Sequence, residues 1–221
     1  MILLVGVCGY KDSGKTTLCR EILERLEARG VRTGYVKRTA EPVLSPVGTD
    51  SGGVLGDRGD AVLWGPDGIR YEAGSPEEDP RRWVGRFFAD RDLVLLEGGK
   101  EIPVPKIWVR APGHPVPEGI PGVLGVYDRT VPGDGVTLFG PDTLGHLVDR
   151  FEGMLPDREN RSCRVFVEGR PLPMKGFVAG FVRGGLLGML RSLKGVELSQ
   201  GWVSVGVRAE EDGGSEKTEL G

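Results

Sequence analysis

Apolar and polar positions fall into blocks of two periods along this chain. Ile2 to Cys8 is an unbroken apolar run of strand length, the pattern of a strand covered on both faces of a parallel sheet. Leu18, Ile22, Leu23 and Leu26 follow at spacings of three and four, the inward stripe of a helix, and Gly30 stands where that helix would stop. Val31 to Lys37 reads as a second strand. Residues 40–59 are rich in Gly, Pro, Ser and Asp and read as a long functional loop. Ala61 to Trp64 and Ile69 to Glu72 flank Gly65-Pro66-Asp67-Gly68, a hairpin signature. Asp79 and Pro80 suit the cap and first residue of a helix, and Trp83, Val84, Phe87 and Phe88 give it a core-facing side.

Asp92 to Gly98 contains an apolar strand closing on a carboxylate, Glu97. Lys106 to Arg110, Gly122 to Tyr127 and Val136 to Phe139 read as three further strands between Pro- and Gly-marked turns. Leu144, Leu147, Val148, Phe151 and Leu155 form a last stripe, capped by Asp142 and closed by Pro156. Strands alternating with helices predict a three-layer α/β domain with a mostly parallel sheet over residues 1–157. Beyond the polar joint Asp157 to Arg161, a small α+β unit is expected over 161–208. It comprises a strand at Cys163 to Val167, a turn at Glu168-Gly169-Arg170, a helix from about Gly176 to Lys194 and a strand at Trp202 to Val207. Residues 209–221 are acidic, Gly-rich and aperiodic, and are expected to be disordered.

Composition narrows the chemistry mainly by exclusion. The net charge of −3 singles out no partner, and nothing in it points to nucleic acid. Three cysteines, Cys8, Cys19 and Cys163, and two histidines, His114 and His146, make neither a disulfide framework nor a zinc-type spacing. Cys8 and Cys19 read as small core residues. No signal peptide precedes the first strand and no apolar run spans a bilayer, so a cytoplasmic protein without membrane contact is expected.

Positive chemistry sits between the first strand and the first helix. Gly9-Tyr10-Lys11-Asp12-Ser13-Gly14-Lys15-Thr16-Thr17 fits the phosphate-binding pattern Gly-x-x-x-x-Gly-Lys-[Ser/Thr]. Gly9 and Gly14 let the backbone curl where a side chain would clash. The curl and the helix N-terminus turn N–H groups of residues 9–17 inward, so Gly9, Lys11, Asp12, Ser13, Gly14, Lys15, Thr16 and Thr17 are the expected phosphate-binding set. Lys15 supplies a point charge for the terminal phosphates, and the Thr16 hydroxyl can ligate Mg²⁺. A glycine turn that binds nothing would not need strand, loop and helix all in place. Glu97 ends its strand where ligands of doubly wound sheets sit, and is expected to hold Mg²⁺, directly or through water, or to orient a water. Lys15 and Glu97 are thus the catalytic candidates.

Four pieces of the chain together resemble the molybdopterin-guanine dinucleotide biosynthesis adaptor family, the MobB type. They are residues 9–18, Tyr35-Val36-Lys37, Gly48-Thr49-Asp50-Ser51, and Asp92 to Gly98 continuing to Pro105-Lys106-Ile107. The resemblance covers most of residues 1–155. It implies a P-loop NTPase fold, GTP binding with slow hydrolysis, Mg²⁺, a homodimer, and partnership with the molybdopterin guanylyltransferase. It also implies that Asp50, with Thr16 and Glu97, lies on the metal or nucleotide side. Arg38-Thr39-Ala40 stands where the family often carries histidines, so any role of those histidines is missing here. The alternative reading of the same loop is a small-molecule or nucleotide kinase, with Arg81 and Arg82 as a lid pair.

Residues 161–208 lie outside the family core. They carry eight basic residues, Arg161, Arg164, Arg170, Lys175, Arg183, Arg191, Lys194 and Arg208, against Glu168 and Glu197. Gly176, Gly180, Gly184 and Gly188 recur every fourth residue of the expected helix, a column without side chains. Glycine in a helix costs about 1 kcal/mol against Ala. Two explanations stay open: close packing on the unit's own sheet, or approach of a second chain's backbone. The surrounding charge would suit an anionic partner such as molybdopterin.

Overall fold

The computed structural model describes residues 2–58, 60–74, 79–157, 161–167, 170–198 and 201–207. The elements in order are β1 (Leu3–Gly9), α1 (Lys15–Ala28), β2 (Thr33–Lys37), α2 (Asp50–Arg58), β3 (Asp60–Gly65), β4 (Gly68–Ala73), α3 (Pro80–Phe87), β5 (Leu93–Glu97), β6 (Lys106–Val109), β7 (Val123–Tyr127), β8 (Leu138–Phe139), α4 (Leu144–Gly153), β9 (Val165–Val167), β10 (Arg170–Leu172) and α5 (Gly176–Ser192).

Six strands form one sheet in the order β2-β5-β1-β6-β7-β8, with every neighbouring pair parallel. Strand alternation explains the layers. Val5 and Val7 of β1 and Leu93 and Leu95 of β5 face α1 and α4, packing with Leu18, Ile22, Leu26, Leu147 and Phe151. Leu4, Val94 and Leu96 point to the other face, where Val84 of α3 and Val104 cover them. This is the mostly parallel α/β sheet expected from the sequence.

The expected hairpin is β3–β4, paired Trp64 to Ile69 around the turn. Asp79 caps α3, its side chain accepting from the Arg81 N–H, with Pro80 in the first turn.

Three local expectations need correction, and one alternative left open is narrowed. Residues 50–58, read as loop, form α2. Its glycines hide it in the sequence, but the Thr49 hydroxyl accepts from Gly52 N–H at 3.2 Å, and Leu55 is buried. Asp142 does not cap α4; it lies inside the 3₁₀ turn Pro141–Thr143 that precedes it, where it accepts from the Gly133 N–H. Residues 202–207 are irregular, not a strand, and Trp202 at their start stacks under the guanidinium groups of Arg32 and Arg164. Finally, the glycine column of α5 does not pack on its own hairpin. A Cβ placed on Gly180, Gly184 or Gly188 would meet nothing within 4 Å, and only Ala179 of this helix is buried.

Arg164, just ahead of β9, ties this part of the chain to the segment before β5. This side chain is buried and donates to Ala89 O at 2.6 Å and to Asp92 Oδ1 at 3.0 Å. Asp92 also accepts from the backbone and guanidinium of Arg32. Burial pushes the Asp92 carboxyl up, but the Arg32 and Arg164 hydrogen bonds outweigh it and hold the group below the usual carboxylate range. The tail at 209–221 lies outside the described residues.

Candidate functional site

β1 delivers the chain to the phosphate loop at its C-terminal end, and α1 leaves it. Gly14 sits at the N-cap of α1 in the left-handed region, φ 90°, and no side chain caps the helix there. The first-turn N–H groups of α1 are therefore free to meet an anion. Asp12 is also left-handed, φ 58°, which curls the loop. At Gly9 space is decisive: a Cβ would lie 2.6 Å from Val109 O and 2.8 Å from Ser13 Oγ.

Ser13 is buried in the loop, yet its Oγ has no hydrogen-bond partner. A buried hydroxyl without a partner is costly unless a ligand completes it. The Lys15 ammonium curls back onto the Tyr10 carbonyl, while Lys11, Asp12 and Thr17 line the loop exposed. An uncapped helix end, an unsatisfied buried hydroxyl and a lysine together fit a phosphate group.

Glu97 is brought in by the sheet. The register sets Val7, Glu97 and Lys37 side by side on β1, β5 and β2. The buried Glu97 carboxylate accepts from Thr16 Oγ1 at 3.0 Å and from the Tyr35 hydroxyl at 2.6 Å. Lys37 Nζ lies 3.7 Å from Oε1. Burial and the neighbouring carboxylate push the Tyr35 phenol up, so it remains a donor at neutral pH. Tyr35 and Lys37 belong to a motif the sequence reading quoted without assigning it a role. Their alternation on a strand paired to β5 is the signal that places them.

The Thr16 hydroxyl and the Glu97 carboxylate offer two adjacent oxygens. Among the described residues no group of three or more His, Cys, Asp or Glu side chains could hold a metal. Asp50 is not brought to this pair: it is exposed at the start of α2, and no hydrogen bond or ion pair links it to Thr16 or Glu97. Arg81 is remote too. It donates to Pro103 O at 3.4 Å and lines a cavity with Ile2, Leu3 and Leu4, at the end of β1 opposite the loop. A kinase lid at Arg81 has no geometric support.

Beside the phosphate loop opens a cavity of about 590 Å³, lined by Ser13, Arg110, Pro112, His114, Asp128 and Arg129 among others. Asp128 ends β7 buried. Its Oδ1 accepts from Thr130 N and Oγ1 at 2.9 and 2.6 Å, and its Oδ2 from Arg110 Nη1 at 3.2 Å. The Thr130 hydrogen bonds and Arg110 hold this carboxyl below the usual carboxylate range against its burial. Arg129 lies over the loop itself: a Cβ on Gly14 would be 2.9 Å from its Nη1. The sequence reading did not find this cavity, because three separate stretches, 12–13, 110–116 and 128–130, build it.

Residues 4–51 match the MobB family, described as Molybdopterin guanine dinucleotide synthesis protein B. Over 108 residues the chain is 30% identical to the probable molybdopterin-guanine dinucleotide biosynthesis adapter protein of Bacillus subtilis, covering 47% of this chain and 62% of that protein. Over 113 residues it is 34% identical to the molybdopterin-guanine dinucleotide biosynthesis adapter protein of Haemophilus influenzae, covering 48% and 62%. The similarity thus spans about 62% of the length of these curated relatives. A crystal structure of molybdopterin-guanine biosynthesis protein B superposes with a TM-score of 0.53 at 26% identity, covering 69% of this chain and all of that one. The crystal structure of Bacillus subtilis MobB superposes with a TM-score of 0.53 at 22% identity, covering 71% of this chain and all of that one, and speaks for the fold alone.

Proposed function

We propose that this chain, whose first domain resembles the molybdopterin-guanine dinucleotide adapter proteins in sequence and fold, is a GTP-binding adaptor in molybdenum-cofactor assembly. The observation that carries the reading is the hydrogen bond between Thr16 and Glu97 at the mouth of the phosphate loop. It joins the residue expected to ligate Mg²⁺ to the carboxylate that ends the neighbouring strand. In this reading the N–H groups of the loop and Lys15 bind the phosphates. Ser13 Oγ gains the partner it lacks. Thr16 and Glu97 hold Mg²⁺, which would neutralise charge on the terminal phosphates. Tyr35 and Lys37 fix the carboxylate. Slow hydrolysis belongs to this reading through the family resemblance alone.

The molybdopterin guanylyltransferase as partner, contact with molybdopterin, a homodimer and a cytoplasmic setting belong to the same reading and rest on the family resemblance. No described helix is long and apolar enough to cross a membrane. The test is calorimetric titration of the full chain with GTP and ATP, with Mg²⁺ and with EDTA, followed by phosphate release from the bound nucleotide. GTP binding strengthened by Mg²⁺, with slow release, is expected. No nucleotide binding overturns the reading, and rapid transfer of a phosphoryl group to a second small molecule replaces it with a kinase.

A further inference from the structure

α5 is apolar on both of its sides. On the inner side Ala179 is buried and Val182, Leu186 and Leu190 are half-buried. On the outer side Phe177 is 84% exposed, Phe181 74% and Met189 64%, with Leu193 just past the helix end at 56%. At 3.6 residues per turn these positions share one half of the helix surface with Gly184, Gly185 and Gly188, and no charged side chain stands among them. A helix that is apolar all round belongs inside something, and an exposed apolar face marks an interaction surface.

The charge beside that face has one sign. Residues 170–196 include Arg170, Lys175, Arg183, Arg191 and Lys194 and no Asp or Glu. All five are exposed, and none makes an ion pair or a side-chain hydrogen bond with the described residues. The whole chain carries −3, so the remainder carries −3 − 5 = −8. An anionic surface attracts this stretch and repels the remainder, which fixes the side that faces it. A second copy laid on the same face would instead bring five cations from each chain together with no carboxylate between them, a like-charge contact that opposes association.

We infer that α5 docks on an anionic lipid bilayer. Phe177, Phe181 and Met189 enter the boundary between headgroups and acyl chains, and Lys175, Arg183, Arg191 and Lys194 meet the headgroup phosphates. A Cβ on Gly184, Gly185 or Gly188 would meet nothing within 4 Å, so the two Phe rings stand proud of a bare backbone. The helix has 17 residues and no described helix can cross a membrane; it lies on the bilayer. The expectation of a protein without membrane contact came from the lack of a spanning run, and a helix lying in the interface needs none. The inference does not depend on the nucleotide reading.

The test is co-sedimentation of the full chain with vesicles of phosphatidylcholine alone and of equal parts phosphatidylcholine and phosphatidylglycerol, at low and at high salt. Binding to the mixed vesicles is expected, weakened by salt and far weaker on phosphatidylcholine. Phe177→Ser combined with Phe181→Ser changes two exposed positions, and circular dichroism checks that the chain still folds. It should weaken binding by roughly a hundredfold or more, about tenfold or more for each Phe kept from apolar burial. Arg191→Gln combined with Lys194→Gln should weaken it by about twenty-fivefold, about fivefold per cation. No binding to the mixed vesicles overturns the inference. Binding that the Phe variant retains overturns it, as a contact of charge alone. Equal binding to phosphatidylcholine overturns it, since the cations would then contribute nothing. Sedimentation velocity without lipid tests the other occupant: if the chain pairs and the Phe variant dissociates it to monomers, the face belongs to a second copy and the inference falls.

Discussion

The hydroxyl of Thr16, in the first turn of α1, donates to the carboxylate of Glu97, 81 residues further along, at 3.0 Å. Two elements that the chain separates by most of a domain thus meet at the end of the sheet where a doubly wound fold binds its ligands. Glu97→Gln keeps the shape and one acceptor but removes the charge. If Glu97 serves Mg²⁺, nucleotide affinity should fall by a larger factor with Mg²⁺ than in EDTA. Equal factors in both solutions would give Glu97 a purely structural role.

Lys15 is only half-buried, so Lys15→Ala should leave the domain folded. Nucleotide affinity should fall by about 2–3 kcal/mol, the range of a charge-assisted hydrogen bond. Unaltered affinity in a folded variant would exclude the loop as the phosphate site.

Lys106 is an unusual residue for the inside of a parallel sheet. It has no exposed surface, and its ammonium donates to Lys100 O at 2.8 Å and Ile102 O at 2.5 Å, pinning the segment that follows Glu97. Burial holds its pKa below the ordinary 10.5. The folded chain therefore releases this proton more readily than the unfolded chain. Between the lowered value and 10.5 the unfolded state binds more protons, so the stability contributed at Lys106 rises with pH across that window. Cys8, Cys19 and Tyr35, all pushed up, act in the opposite sense; Cys19 and Tyr35 are common to wild type and variant, whereas Cys8 loses the lowering influence of Lys106 in the variant, which also favours wild type as pH rises. Urea unfolding of the chain and of Lys106→Met at about pH 7 and about pH 10 isolates the lysine. Wild type should gain on the variant as pH rises. Parallel curves would mean that Lys106 carries its ordinary pKa.

What the sequence made legible was local. The phosphate loop is readable because Gly9, Gly14, Lys15 and Thr16 each have one physical use at a fixed spacing, and Ile2 to Cys8 and Leu18 to Leu26 supply the strand and helix around them. Glu97 is readable because an apolar run ends on it. Tyr35 and Lys37 acquire their roles only through the β2–β5 register, and Arg129 only because β7 carries it over Gly14; neither relation leaves a trace in nearby residues. The helix at 50–58 was hidden by low propensity, since its cap and the burial of Leu55 outweigh its glycines. Trp202 has the look of a strand residue until Arg32 and Arg164 are seen stacked on it.

The last prediction separates the two units. Truncation after Asp157 removes Arg161, Arg164 and Trp202 but leaves every residue of the phosphate loop, Glu97 and the cavity beside it. Asp92 loses the Arg164 hydrogen bond at 3.0 Å yet keeps the backbone and guanidinium of Arg32, so its charge stays paired. The cost at that joint is then about 1–3 kcal/mol, not the larger penalty of an abandoned buried charge. Ile2, Leu3, Leu4 and Met154, which share a cavity of about 250 Å³ with Phe166 and Pro171, become more exposed and add to the loss. Both effects act at the start of β1, while nucleotide binding is placed at its end, after Gly9. The truncated domain should therefore melt at a lower temperature and bind nucleotide with the affinity of the full chain. Weakened nucleotide binding would mean that the C-terminal unit reaches the site by a contact the fold does not contain. An unchanged melting temperature would remove Arg164 and Asp92 as the tie between the two units.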